Sequence, residues 1–146
     1  MPIKYFGTAV TSFTPDTNAY TAGDVIGGLL TFRVGTESGG GAITRLLITD
    51  DDSQGAAGSL YLFNAAPTTF ADNAAFAPVD ADLTKLETVI PIPSFTTVNS
   101  RDWGESASIL HVFQHGIGVL YGYYVTSGTP TYSASSTIQI TLGITG

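Results

Sequence analysis

Three consecutive carboxylates, Asp50-Asp51-Asp52, form the densest group of potential ligands in the chain. Adjacent carboxylate oxygens suit a hard cation such as Ca²⁺, which takes six to eight oxygens. The segment Asp50-Asp51-Asp52-Ser53-Gln54-Gly55 lacks the Asp-x-Asp-x-Asp-Gly order, and no glutamate follows at the twelfth position. An Asp-rich turn that hydrogen-bonds its own backbone is therefore the expectation, with no metal. His111 and His115 would meet on a helix, but they fall in a strand-like run and the turn after it. A core-edge histidine suits that placement better than a base or a ligand. Asp80 and Asp82 offer a carboxylate pair of the kind glycosidases hold roughly 5–9 Å apart. Sequence spacing does not fix that distance, and the chain has one tryptophan, Trp103, with which to line a sugar cleft. With no cysteine, thiolate catalysis and zinc–cysteine sites are excluded. No Gly-x-Ser-x-Gly elbow, P-loop or dinucleotide fingerprint occurs. The chain reads as a non-enzyme without a cofactor. Trp103 lies in the polar run Asn99-Ser100-Arg101-Asp102-Trp103-Gly104 and is expected in a loop, as a binding anchor or as a plug over the domain's end.

The elements that would carry these residues are strands. Ile138, Ile140, Leu142 and Ile144 alternate with Gln139, Thr141 and Gly143, giving a strand with one buried face. Residues 118–125 put Val119, Tyr121, Tyr123 and Val125 on one face and Leu120, Gly122 and Tyr124 on the other. Bulk on both faces predicts a central strand covered on both sides, with a close approach or bulge at Gly122. The runs 106–113 and 118–125 read as a hairpin about the 114–117 turn. Residues 25–34 and 42–49 flank the turn 36–41, which reads as a hairpin loop, and Ile43 is placed on the face of Arg45 and Leu47. Residues 59–64 form a strand apolar on both faces, and 86–92 a strand put at a sheet edge by Pro91. The stretch 65–86 loses the period of two. There Asp72 could cap a helical turn through Phe76, and residues 80–86 could form another. Roughly eight strands spaced by turn signals predict an all-β, antiparallel, jelly-roll-like sandwich in one domain over residues 1–146, with 1–20 as a possible arm.

Composition narrows the partners. Charged residues are 12% of the 146, and net charge is −7. The five bases are scattered, so no basic patch exists for nucleic acid. No apolar run is long enough to span a membrane, and the N-terminal residues lack a signal-peptide core. Low charge with abundant small hydroxyl residues suits a surface that another protein covers.

Four segments carry a family resemblance: residues 19–28 (AYTAGDVIGG), 48–52 (ITDDD), 60–76 (LYLFNAAPTTFADNAAF) and 121–129 (YGYYVTSGT). Together they resemble a group of small structural proteins of tailed bacteriophages that includes capsid decoration, or cement, proteins. The resemblance covers most of residues 15–145. It implies a virion protein made in the host cytoplasm, placed on the capsid surface, partnered by the major capsid protein and by itself as a homotrimer. Under it, the arm with Tyr5, Phe6, Phe13 and Tyr20 is the first candidate contact, adding a strand to an exposed edge. Phe70 and Phe76 of the irregular stretch are the second, and Trp103 is a further anchor. The alternative is a carbohydrate- or receptor-binding module of a fibre or tail, with Trp103 or Tyr123 in the contact.

Overall fold

The computed structural model describes residues 6–34, 40–107, 109, 111–114 and 118–145. Tyr5, His115, the 115–117 turn and most of the 36–41 turn lie outside them. The chain runs β1 (Phe6–Phe13), β2 (Val25–Arg33), β3 (Gly40–Asp50), β4 (Gly58–Phe63), a single helical turn α1 (Asp80–Leu83), β5 (Leu86–Ile92), β6 (Thr96–Val98), β7 (Arg101–Ser106), β8 (His111–Gln114), β9 (Val119–Thr126) and β10 (Ile138–Thr145).

Two antiparallel sheets result. The first has the order β1-β10-β3-β7-β6, with β8 also on β3; the second is β2-β9-β4-β5. β8 pairs with residues 40–43 of β3 and β7 with residues 46–50, so the two occupy one lane. Counting them as one strand and setting aside the short β6 leaves eight strands, with β1-β10-β3-β7/8 facing β2-β9-β4-β5. Within that frame consecutive strands change sheets at every step except β4 to β5, which is the nested Greek-key path of a jelly roll. Several predicted strands sit as expected: β10 lies between β1 and β3, β9 lies between β2 and β4, and β5 with Pro91 is an edge.

Two predicted hairpins are overturned. β2 pairs with β9, not β3, and β8 pairs with β3, not β9. Alternation fixes which face of a strand is apolar but not which strand lies beside it. A jelly-roll crossover and a hairpin need the same turn chemistry. Ile43 is also corrected. A bulge near Gly143 in the β10–β3 register moves Ile43 to the inner face with Leu46 and Ile48, all buried, and leaves Arg45 outside.

The core between the sheets is aliphatic with a few rings, including Phe32, Leu46, Leu60, Leu62, Leu120, Ile140 and Leu142. A second cluster lies on the outer face of β2-β9-β4, where Val25, Phe63 and Tyr123 are covered by Phe70 and Phe76 of the 65–79 segment. This strap explains why β4 and β9 are apolar on both faces. At Gly122 a Cβ would meet Phe32 Cε2 at 3.0 Å, the close approach predicted from its place between tyrosines.

Candidate functional site

The acidic loop is a brace. Asp50 is buried, and its carboxylate accepts from the amides of Asp52 (2.8 Å), Gln54 (3.1 Å) and Gly55 (3.1 Å). Asp51 accepts from the Thr137 amide at 2.6 Å and Asp52 from the Ser133 amide at 2.8 Å. These bonds tie the β3–β4 loop to the approach to β10. Burial pushes the Asp50 carboxyl up, and the nearby Asp102 carboxylate, its cross-strand partner, adds to the rise. Asp52 is held below the usual range, first by the Ser133 amide.

The Asp80/Asp82 pair separates by role. Asp80 is exposed, while Asp82 is buried and accepts from the Thr68 amide (2.8 Å), the Thr68 hydroxyl (3.2 Å) and the Val79 amide (3.1 Å). The Thr68 amide is the main cause of its lowered pKa. His111 Nε2 lies 3.0 Å from Glu87 Oε2, bridging β8 to β5. No group of three or more His, Cys, Asp or Glu side chains converges among the described residues.

Asp72, predicted to cap a helical turn, joins three segments instead. Its Oδ1 accepts from the Tyr20 hydroxyl (2.7 Å) and the Gly27 amide (2.8 Å), and its Oδ2 from the Asp16 amide (2.9 Å). The chain forms a turn there, and the 73–76 stretch bonds to residues 23–25 in place of coiling. Gly27 has φ +89°, and the Phe13 ring fills the space where a Cβ would be. No pattern of apolar residues announces such a hub, because the signal is one carboxylate in an irregular stretch. Burial and the Asp72 hydrogen bond push the Tyr20 hydroxyl up strongly.

The seven candidate contact residues are not brought together. Tyr20 is buried, Phe13 packs against the main core, and Phe70 and Phe76 pack beneath the strap with Tyr123. Tyr5 lies outside the described residues. Phe6 starts β1, opposite Thr145. Trp103 is on β7 and not in a loop, because β6 and β7 form a hairpin whose turn is Asn99-Ser100, both with positive φ. Trp103 is 38% exposed. Tyr123, the other aromatic considered for a glycan, is fully buried, with its hydroxyl donating to the Thr68 carbonyl at 2.8 Å.

What stays open is the outer face of the first sheet. The register aligns Ser12, Gln139, Thr49, Trp103 and Thr96 across five strands, with Val10, Thr141, Leu47 and Glu105 in the next row. Its charges are few: Arg45 pairs with Glu105 at 2.9 Å, and Arg101 stands two residues before Trp103. At one margin β1 is terminal, with no strand on its far side among the described residues, and Val10 is 49% exposed there. The Thr11 hydroxyl donates to the Thr31 carbonyl at 2.6 Å and ties this margin to β2.

No family model and no curated protein matches the chain. Among solved structures it is similar to the PRD1 vertex protein P5, at 13% identity and a TM-score of 0.33, over 93% of this chain and 94% of that one. It is similar to a chain of the deformed wing virus carrying the GFP gene, at 14% identity and 0.35, over 97% of this chain and 44% of that one. A third similarity, to BuGH86 in complex with neoagarooctaose, has 14% identity and 0.32, over 94% of this chain but 19% of that one. These likenesses are remote. No helix among the described residues is long and apolar enough to cross a membrane.

Proposed function

We propose that this chain is a virion structural protein of a tailed bacteriophage, a decoration protein that binds the outside of the capsid and bridges major capsid protein subunits. The phage resemblance names the class. The observation that carries the reading is the asymmetry of the two sheets: the strap covers Val25, Phe63 and Tyr123 on one outer face, and the other has no such cover among the described residues, is poor in charge and is bounded by β1, which has no strand on its far side among them. A protein that acts by covering surface requires such a face and no catalytic group. The β1 edge, with Val10 and the flanking Tyr5 and Phe6, adds to an exposed strand or loop of the shell, backbone to backbone. Assembly as a homotrimer makes three weak contacts act together. Binding to the expanded shell and not to free subunits stabilises the shell by mass action.

Titration of expanded empty capsids with the purified protein tests this. Saturable binding at a fixed number of copies per shell is expected. Val10→Lys, which places a charge at the edge that would pair, weakens binding about tenfold or more without lowering Tm. Absence of binding at micromolar protein overturns the reading.

A further inference from the structure

We infer that the groove beside Trp103 binds an acidic oligosaccharide, a chain of pyranose units bearing uronate carboxylates. Trp103 is held on a strand between Thr49 and Thr96, its cross-strand neighbours, so the indole is presented from a rigid sheet. Beside it Thr49, Val98, Arg101, Asp102 and the indole line an open groove of about 420 Å³. That volume falls in the range of small-molecule sites, where an apolar wall combines with a few polar groups. The C–H face of a pyranose is apolar and flat, and it stacks on an indole that is partly open.

Arg101 supplies the acidic preference. It projects from the same face of β7 as Trp103, opposite Val98. The face's other arginine, Arg45, is engaged by Glu105, but Arg101 has no carboxylate partner among the described residues. Asp102 also lines the groove, but it is buried and its Oδ1 accepts from the Thr97 hydroxyl at 2.6 Å, so Arg101 is the exposed charge beside the only indole. A guanidinium takes a carboxylate through two parallel hydrogen bonds.

The neighbouring groups favour a sugar over a protein side chain. From Trp103 the row runs through Thr49 and Gln139 to Ser12, across four strands. At the usual strand spacing this is roughly 14 Å of hydroxyl and amide groups, long enough for several sugar units. A protein anchor is fully desolvated and ringed by apolar contacts, whereas this groove is open and flanked by hydroxyl and amide groups. The sugar lies on the face of the sheet, whereas β1 meets the shell through its in-plane backbone edge, so both can be held at once.

Because Trp103 is the only tryptophan, its fluorescence reports the site directly. Tetragalacturonate, a hyaluronan tetrasaccharide and a mannuronate tetramer are titrated to about 10 mM, above the range of weak single-site binding. At least one is expected to give a saturable change. Arg101→Ala, at an exposed position, weakens that binding about tenfold or more, as loss of a charge-assisted hydrogen bond does. Trp103→Ala abolishes it by calorimetry, with circular dichroism unchanged. No saturable response to any of the three, or equal affinity for a neutral galactotetraose, overturns the inference. So does a Trp103 signal that moves only when capsids are added, which would make the patch a protein contact.

Discussion

Single carboxylates and hydroxyls hold the irregular parts of this fold. Tyr123 is the clearest case: its hydroxyl donates to the Thr68 carbonyl at 2.8 Å and accepts from the Phe70 amide at 3.0 Å, while its ring contacts those of Phe63, Phe70 and Phe76. Tyr123→Phe keeps the ring and leaves two backbone groups of the strap without a partner. It should cost about 1–3 kcal/mol, measured by urea unfolding, with the strap's amides exchanging faster than those of β10. A loss no larger than a few tenths of a kcal/mol would show that water replaces the hydroxyl. In the sequence Tyr123 stands out as bulk on one face of a central strand. The two hydrogen bonds were not legible, because their partners are backbone atoms 53 and 55 residues away.

At the scale of elements, the strap between β4 and β5 is fastened at its middle by Asp72 and near both ends by Asp82, which accepts from the Thr68 and Val79 amides. Asp82 titrates below its ordinary value of 3.8. A lowered carboxyl stabilises the fold fully above the unfolded value and loses that contribution as pH falls through the folded value. Asp52 acts in the same direction. Asp50 acts oppositely: its raised pKa favours the fold when protonated and counts against it as pH rises past the ordinary value. Thermal melts from about pH 6 to about pH 2 should therefore show Tm falling below about pH 4. Asp82→Asn should lower Tm at neutral pH and flatten the acid limb. An Asp82→Asn curve parallel to the parent would show that Asp82 does not carry the linkage. The strap also shows where sequence reading stops. Loss of the two-residue period marked 65–86 as irregular, and the α1 turn follows from Asp80 and Asp82. That the segment covers part of a sheet face follows from Phe70 and Phe76 only once β4 and β9 are known to be adjacent.

At the scale of the molecule, strand periodicity is largely legible: residues 138–144, 119–125, 59–63 and 86–92 all lie in strands, and 138–144 and 119–125 show the expected faces. Partnership was not, and the two supposed hairpins are crossovers between sheets. Ile43 was misplaced because a bulge shifts the phase by one residue, and Trp103 because a three-residue β6 carries no pattern of its own. The candidate contacts divide on the same physical ground. An aromatic residue in an irregular stretch is attractive as an anchor, yet burial of its area within its own domain is the larger gain. Tyr20, Phe13, Phe70 and Phe76 are used that way, while Trp103 and the β1 margin stay open. The proposed function turns on the β1 margin of the open sheet meeting a shell. A density map of the intact phage particle tests that most directly. The account predicts this jelly roll on the capsid exterior, in trimers at local three-fold or two-fold positions, with the β1 edge against the major capsid protein and Trp103 away from it. Density for the chain in a tail or fibre, inside the shell, or with the β1 edge facing solvent would contradict it.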